Sequence, residues 1–453
     1  MSNQYNLFDE FPPVSSKQWK QKIQFDLKGA DYNKTLLSHT LEGITIKPIY
    51  HSDSYRALEI PDNNTEFQIC QTIFINDEKT ANFLAKDALN RGADSIRFQT
   101  EKPFDIDTVF DGLLGTTLYF QFLFLDLEFI LNLINKNKEQ PLLLNIDLIG
   151  NLVQSGKWFF NNKKDHAILT SIINHKNSNV CTLGINVSLY QNAGANAVQQ
   201  VAYALAHASE YLNFIDKNKI DSVKKINFSF STGSNYFFEI AKLRAFKYLW
   251  NLICSKYNLE IEASIFSQPS LRNKTLFDFN VNMLRTTSES MSAILGGAGV
   301  VSNVSYDTLF RKKNEFGERI ARNQLIILKE ESNIKNGNLT KGSYYLEDLS
   351  FEIAEKALKI FKDIEKSGGF IKQLFEGTIQ RKIEENAKKE QQLFDIGEFV
   401  LVGTNKYLNI KDQVSNDFEI YPFLKTKKKQ TVIQPIIAKR LAEKIEKEHF
   451  NKH

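Results

Sequence analysis

The stretch VCTLGINVSLYQNAGANAVQQVAYALAHASEYL, residues 180–212, combines a β-rich run with a segment of helical periodicity. Its first ten residues, VCTLGINVSL, predict a strand that ends at Leu189. After a polar turn, apolar residues recur every three or four positions, which predicts a helix with one apolar stripe. That stripe consists of Val198, Val201, Ala202, Leu205 and Leu212. The stretch is therefore one strand followed by one helix.

The same strand-then-helix unit occurs eight times between residues 67 and 305. An open doubly wound sheet gives the same local pattern but rarely has eight consecutive crossovers. We therefore predict an α/β protein with a closed parallel (β/α)₈ barrel, the TIM barrel. The eight strand candidates are QICQTIFI (68–75), SIRFQT (95–100), LYFQFLF (118–124), LLLNIDLI (142–149), VCTLGINVSL (180–189), INFSFS (226–231), IEASIF (261–266) and VVSNVS (300–305).

Three regions are predicted from this pattern. Residues 66–305 form the barrel, and residues 306–453 form a helical post-barrel region. Residues 1–65 form an N-terminal extension in which aromatic residues such as Phe11 and Trp19 lie among charged ones. Such a segment is suited to lie on another surface, so we predict a contact with a partner chain.

Composition argues against several classes of function. The net charge of +4, from 57 basic and 53 acidic residues, is far from the single-signed field of nucleic-acid-binding proteins. No apolar run has membrane-spanning length. The cysteines lie far apart, as in a reducing compartment: Cys70, Cys181 and Cys254. A lysine run in a polar stretch is interpreted as a solvated linker: Lys425, Lys427, Lys428 and Lys429. We predict a cytoplasmic protein without nucleic-acid or membrane partners.

In a (β/α)₈ barrel, functional residues lie at the carboxyl ends of the strands, here called the mouth. Asp77 and Asp147 are its only acidic candidates for general acid–base work. Asp77 can instead cap a helix, and Asp147, placed within an apolar strand, can be a satisfied buried polar group. The predicted mouth contains no histidine: Asn76, Asp77, Gln99, Thr100, Asp147, Tyr190, Gln191, Asn192, Ser231, Thr232, Ser267, Gln268, Ser302 and Asn303.

Motifs for metal, nucleotide or nucleophile chemistry are missing. GxSxG and P-loop strings do not occur, which leaves hydrolase and NTPase functions without support. The glycines of LGGAGVV, at positions 296, 297 and 299, precede a strand and are interpreted as a helix C-cap rather than a phosphate loop. The histidines show no metal-ligand spacing: His39, His51, His166, His175, His207, His449 and His453.

Several segments resemble methylmalonyl-CoA mutases, and the N-terminal run FPPVSSKQWKQKIQFDLKGADYNKTLLSHTLEGITIKPIY (11–50) resembles the opening of their small subunits. The others follow in the family's order: YQNAGANAVQQVAYALAHASEYL, NYFFEIAKLRAFKYLW, NMLRTTSESMSAILGGA, FGERIARNQLIILKEES and KGSYYLEDL. The resemblance covers nearly the whole chain. It implies a barrel that, in the catalytic subunit, is threaded along its axis by the pantetheine arm of an acyl-CoA, with adenosylcobalamin as the radical cofactor.

The chain departs from the catalytic pattern of that family. A tyrosine–histidine pair that holds the substrate thioester is expected before the Q-E-A-G-A run, but Tyr190 is followed by Gln191 and Asn192. No DxHxxG cobalamin motif occurs, and we expect no cobalamin domain after residue 450. The degenerate mouth near Tyr190 therefore predicts no catalytic, cofactor-binding or metal-binding residue in this chain.

Charged residues in two family segments are interpreted as links between helices or to a partner chain. In RTTSESM we consider Arg285, Thr286, Thr287 and Glu289, and in FGERIARN we consider Arg319 and Arg322. None is assigned a catalytic role.

The resemblance implies the small subunit of a heterodimeric mutase, inactive alone, whose large subunit binds adenosylcobalamin and converts methylmalonyl-CoA to succinyl-CoA and back. The alternative is a substrate-binding component of another acyl-CoA mutase that uses a separately encoded cobalamin protein. A third reading is a non-enzymatic acyl-CoA sensor. Acyl-CoA binding by this chain alone would favour the latter two.

Overall fold

Eight parallel strands close into a barrel in the order β10-β3-β4-β5-β6-β7-β8-β9 in a computed structural model, which confirms the predicted (β/α)₈ fold. The model describes residues 10–60, 65–137, 139–175, 177–409, 418–424 and 430–450; the lysine run at 425–429 lies outside them. The barrel strands are β3 (Gln68–Phe74), β4 (Ser95–Thr100), β5 (Thr117–Phe122), β6 (Leu142–Ile146), β7 (Val180–Asn186), β8 (Lys225–Thr232), β9 (Glu262–Pro269) and β10 (Val300–Val301).

The helices of the barrel alternate with these strands. Residues before the barrel form α1 (Ser16–Asp26), α2 (Tyr32–Leu36) and an antiparallel ribbon of β1 (Ser38–His39) and β2 (Thr45–Ile46). The barrel helices are α3 (Glu78–Asn90), α4 (Ile106–Phe110), α5 (Leu127–Lys136), α6 (Leu148–Ser155), α7 (Asn162–Asn174), α8 (Ser188–Asn192), α9 (Ala197–Lys217), α10 (Tyr236–Lys256) and α11 (Val281–Leu295).

The post-barrel part is helical, as predicted. It contains α12 (Glu315–Ile326), which continues as a π-helical turn, then α13 (Tyr344–Lys366), α14 (Phe370–Phe375), α15 (Thr378–Asp395) and α16 (Glu443–Phe450). Gly377, whose φ of 72° lies in the left-handed region, separates α14 from α15. No helix among the described residues is both long and apolar enough to cross a bilayer.

Five strand candidates were predicted too long at their carboxyl ends, β3 by one residue. The strand β6 ends at Ile146, because Leu148 and Ile149 begin a helix instead. An apolar run of this length does not by itself distinguish a strand from a buried helix. Likewise, β5 ends at Phe122, β7 ends at Asn186, and β10 has only two residues.

A register irregularity shapes the end of β6. Asn145 has a φ of 50°, and the pairing with β7 shifts between Leu143 and Ile146. On β7, a Cβ at Gly184 would lie 2.6 Å from the Cα of Asn145, so only glycine allows this approach. The bend directs the chain into α6 and places Asp147 at its N-cap.

The principal core lies between the outer face of the barrel and the helices. Phe228 of β8 is fully buried, and its ring lies 4.6 Å from that of Phe246 and 4.9 Å from that of Trp250, both on α10. The Trp250 indole N–H donates to the Ile261 carbonyl at 2.8 Å, so its one polar atom is satisfied. This aromatic contact attaches α10 to the barrel.

Truncating that contact should destabilise the fold. We expect Phe228→Ala to lower the free energy of unfolding by about 3–5 kcal/mol, because it leaves a cavity between strand and helix. Phe83 on α3 is 67% exposed, and Phe83→Ala should cost less than about 0.5 kcal/mol. Urea unfolding followed by circular dichroism measures both, and equal losses would contradict the packing described here.

Candidate functional site at the barrel mouth

Tyr190 does not line an open mouth, which corrects its predicted placement. It lies on the short helix α8 and is fully buried. Its ring packs edge-on against Tyr203 and Phe370, with centroids 5.7 and 5.9 Å away. Its hydroxyl lies 2.9 Å from Nδ1 of His207. The side chain is thus part of the core behind the mouth, because α14 packs over it.

Gln191 and Asn192 connect the strand ends to each other. Gln191 Nε2 donates to Glu239 Oε1 at 3.0 Å. Buried Lys242 forms an ion pair with the same glutamate and donates to Gln191 Oε1 at 3.4 Å. Asn192 Oδ1 accepts from Ser270 Oγ at 2.8 Å. The hydrogen-bonding capacity of these groups is used by contacts with one another, so their role here is structural.

The C-terminal segment 430–441 crosses the carboxyl ends of the strands. Its backbone N–H groups donate to the backbone carbonyls of four barrel residues. The donor–acceptor pairs are Val432–Gly156 at 2.8 Å, Ile436–Val153 at 2.8 Å, Lys439–Asn192 at 2.9 Å and Leu441–Arg272 at 2.9 Å. Together with a fifth, from the Ile433 N–H to the Gly156 carbonyl at 3.3 Å, these backbone hydrogen bonds hold the segment against the mouth.

Asp147 organises a buried hydrogen-bond network. Its Oδ1 accepts from Tyr211 at 2.9 Å, lies 2.9 Å from Nε2 of His207 and accepts from the Gly150 N–H at 2.7 Å. Its Oδ2 accepts from the Asn186 N–H at 2.8 Å. Burial opposes the charged carboxylate, but the charge and hydrogen bond of His207 together with the two backbone N–H groups hold its pKa below the usual value.

The position of Asp147 was wrong in the sequence prediction, since it caps α6 and does not lie inside a strand. His207 was missed altogether, because it lies on a helix behind the sheet. The spacing of Tyr203, His207 and Tyr211 on α9 was the available signal, since residues four apart share one helix face.

Asp77 is the N-cap of α3. Its carboxylate accepts from the backbone N–H of Thr80 at 2.8 Å and from the hydroxyl of Thr80 at 2.6 Å. These two hydrogen bonds lower its pKa. The carboxylate is therefore occupied at the start of a helix, the structural alternative considered for it.

Rings and a guanidinium fill the axis of the barrel. A small apolar cluster inside the strands, separate from the main core, contains Tyr119 and Phe266. Their ring centroids are 5.8 Å apart. The guanidinium of Arg97 lies 4.5 Å above the Phe266 ring. These three residues come from β4, β5 and β9, so side chains from widely spaced strands meet on the axis.

A large cavity opens at the amino ends of the strands, opposite the predicted mouth. It has a volume of about 1150 Å³, and its lining includes the first residues of several strands, such as Leu142, Val180 and Glu262. Lys247 also lines it, and burial lowers the pKa of that amine to about 8. Tyr119 contributes to the lining while Phe266 does not, which places the inner end of the cavity at the axial cluster.

Charged residues of the RTTSESM segment lie where they link elements. Glu289 accepts from Lys274 Nζ at 2.6 Å, and both side chains are almost fully buried. Arg285 donates to the Val402 carbonyl at 2.6 Å. The hydroxyls of Thr286 and Thr287 accept from Gln324 of α12. The segment connects α11 to the post-barrel region.

The arginines of FGERIARN also have local contacts. Arg322 Nε donates to the Arg91 carbonyl at 3.1 Å and its Nη1 to Gln71 Oε1 at 2.9 Å. The guanidinium of Arg319 lies 5.6 Å from the Phe316 ring centroid. Gly296 is the C-cap of α11, as predicted for LGGAGVV.

No group suited to a metal or to cobalamin was found in the described part of the chain. No three His, Cys, Asp or Glu side chains cluster there. His207, the histidine nearest the predicted mouth residues, is fully buried.

The fold and site define a (β/α)₈ barrel protein whose axis is filled and whose mouth is crossed by its own C-terminal segment. Residues 142–449 match the family described as methylmalonyl-CoA mutase. The chain belongs to that family, which confirms the resemblance seen in the sequence and supports isomerase chemistry.

Two curated relatives show how the chain compares with the family. It is 30% identical over 455 residues to the methylmalonyl-CoA mutase small subunit of Porphyromonas gingivalis, with 90% of this chain and 72% of that protein covered. It is 38% identical over 241 residues to methylmalonyl-CoA mutase of Cereibacter sphaeroides, covering 50% of this chain and 34% of the relative. The chain thus matches only about a third of the second relative.

Among solved structures, Yersinia pestis dihydropteroate synthase matches with a TM-score of 0.35 and 11% identity, over 59% of this chain and 94% of that one. A similarity this low implies nothing about function.

The Asp147 network yields a pH-dependent prediction. At pH 7, Asp147→Asn should lower the free energy of unfolding by about 3 kcal/mol or more, because it breaks the buried Asp147–His207 pair. The folded-state pKa of Asp147 is lowered. Its stabilisation is therefore fully present above the unfolded pKa of about 3.9 and is lost as the pH falls through the folded value. Urea unfolding of both proteins between pH 7 and pH 3 measures the difference.

Asp77→Asn is the matched control, because asparagine caps a helix about as well as aspartate. It should change stability by less than about 0.5 kcal/mol. The network would be contradicted if the two variants lost similar amounts of stability. It would also be contradicted if the stability lost in Asp147→Asn did not decrease at acidic pH.

Proposed function

We propose that this chain is the small subunit of a heterodimeric, adenosylcobalamin-dependent methylmalonyl-CoA mutase. In this proposal the large subunit binds the cofactor and interconverts methylmalonyl-CoA and succinyl-CoA by radical rearrangement of the carbon skeleton. The small subunit performs no chemistry and stabilises the large one. The cytoplasm is the proposed compartment.

The filled axis is the observation that carries this proposal. The family resemblance implies that an active barrel is threaded by the pantetheine arm of its substrate. Here Tyr119, Phe266 and Arg97 occupy the corresponding space between the amino-end cavity and the carboxyl end. An acyl group could cross that layer only if the rings moved out of a packed interior.

The carboxyl end of the barrel supports the same proposal. Tyr190, the remaining member of the family's tyrosine–histidine pair, is buried against α14 and cannot reach a thioester. Segment 430–441 lies across the strand ends. A barrel without an accessible substrate ligand is suited to a supporting role, with the cofactor held by another chain.

The N-terminal extension is the proposed contact with that chain. Helix α1 has no buried residue. Trp19 and Phe25 on this helix are 45% and 79% exposed, and Phe11 before it is 71% exposed. A hydrogen bond of 2.8 Å, donated by the Ser16 N–H to the Asp53 carboxylate, ties its start to the rest of the extension. A helix with exposed aromatic rings and few contacts of its own is suited to lie on a partner subunit.

We propose three regions on this basis. Residues 1–65 contact the partner, residues 66–305 form the barrel, and residues 306–453 form the post-barrel region.

The first test is mutase activity with added adenosylcobalamin for this chain, for the large subunit and for the two co-expressed. We expect no turnover by this chain and full turnover by the pair, with one cobalamin per heterodimer. Turnover by this chain with a free-standing cobalamin protein would overturn the proposal and favour the alternative acyl-CoA mutase component. Binding of acyl-CoA by this chain without any effect on mutase activity would favour a sensor.

A second test addresses the N-terminal extension. Replacing both Trp19 and Phe25 by alanine should raise the dissociation constant of the two subunits at least tenfold, a loss of about 1.4 kcal/mol in binding free energy. The reason is that large aromatic side chains dominate interfaces. Sedimentation of the mixed subunits measures the dissociation constant. The control replaces Phe83, which is similarly exposed but lies on α3 of the barrel. Unchanged affinity in the double variant, with the folded state intact, would remove the extension from the interface.

A further inference from the structure

Arg97 is a buried cation inside the barrel without a matching carboxylate. It is 7% exposed, and its Nε is buried with no hydrogen-bond acceptor. Its Nη2 donates to Gln121 Oε1 at 2.8 Å, and no acidic side chain among the described residues pairs with it. Burial lowers the pKa of the guanidinium to about 10, which still leaves it charged at neutral pH.

The known contacts compensate this charge only in part. The Phe266 ring beneath the guanidinium supplies a cation–π contact at 4.5 Å. Gln121 Oε1 is shared, since it also accepts from Gln99 Nε2 at 2.8 Å. Buried charges in proteins are ordinarily paired with an opposite charge, because removing an ion from water is costly. Arg97 lacks that counter-charge within the described chain.

A small cavity with a mixed polar and apolar lining adjoins Arg97 in the carboxyl half of the barrel. Its volume is about 60 Å³, and Arg97 and Gln121 are on its wall. Asn145, Ser229 and Asn186 also line it. No hydrogen bond of the Ser229 hydroxyl is seen within the described residues, so the cavity wall includes a second hydrogen-bond donor. The cavity is separate from the large one at the amino ends, from which Arg97 is absent.

The other charges near Arg97 do not neutralise it. The ammonium of Lys313 hydrogen-bonds to the Thr72 carbonyl inside the barrel and has Glu318 as its counter-charge. Arg97 contributes a like charge that helps to lower the pKa of Lys313. Asp147 is on the wall of the same cavity, but its carboxylate is directed at His207, Tyr211 and two backbone N–H groups. The region near Arg97 keeps an uncompensated positive charge.

We propose that this cavity binds one small monovalent oxyanion, a carboxylate such as formate or acetate or a bicarbonate, with the Arg97 guanidinium as its principal ligand. The planar fork of arginine matches a planar carboxylate group. A volume of about 60 Å³ holds an ion of this size and excludes an acyl-CoA. A phosphate dianion is disfavoured, because the Asp147 carboxylate shares the wall. The site is independent of the proposed subunit role.

The experiment is thermal unfolding of the full-length chain at pH 8 with formate, acetate or bicarbonate, against sodium chloride at equal ionic strength. We expect a saturable rise in Tm of about 2–3 °C at ligand concentrations far above Kd. Line broadening of ¹³C-labelled anion by the protein provides a direct binding readout. A response to formate and acetate alone identifies an organic carboxylate, and one to bicarbonate alone identifies that ion.

Two variants and a control make the result specific. Arg97→Met removes the charge, and Ser229→Leu fills the cavity while keeping the arginine, so both should abolish the saturable rise and the broadening. Arg381→Met alters an arginine whose side chain is 64% exposed and should leave both unchanged. If Arg97→Met fails to fold, Ser229→Leu decides. A response equal to that of chloride, or one kept in Ser229→Leu, would overturn the site.

Discussion

The packing of side chains inside the barrel is the constraint on which the rest of this structure depends. Eight parallel strands enclose a space just wide enough for side chains to fill. In this chain the inward positions of β5 and β9 carry Tyr119 and Phe266, and their rings meet at the centre. With Arg97 stacked on Phe266, the layer closes the axis between the two ends of the barrel. The two ends are consequently separate environments, with a large cavity at the amino ends and a small one beside Arg97 at the carboxyl ends.

Buried polar networks take the place of an open mouth at the carboxyl ends. Asp147 and His207 form one network, and Lys274 and Glu289 form another. Groups with this degree of burial are tolerated only when they are hydrogen-bonded to each other, which fixes the positions of α6, α9 and α11 relative to the strands. The side chains in these networks are therefore occupied by contacts within the chain.

Much of the architecture was accessible from the sequence because strand and helix periodicities differ. All eight strands were located, and SIRFQT matched β4 at both ends. The errors were at strand ends, above all at LLLNIDLI, where apolar residues continue from β6 into α6. The site was less accessible. Tyr190 and its neighbours were placed at the mouth from their position after β7, but α14, distant in sequence, covers Tyr190.

The sequence by itself determined the alternation of eight strands and helices, the membership in the methylmalonyl-CoA mutase family and the absence of a histidine after Tyr190. Local periodicity and short motifs contain this information, because each depends on residues close together in the chain. Only the tertiary structure decided that the axis is closed, that the large cavity opens at the amino ends and that Arg97 has no counter-charge among the described residues. Those features depend on side chains from different strands that barrel closure brings together, such as Arg97 of β4 and Phe266 of β9.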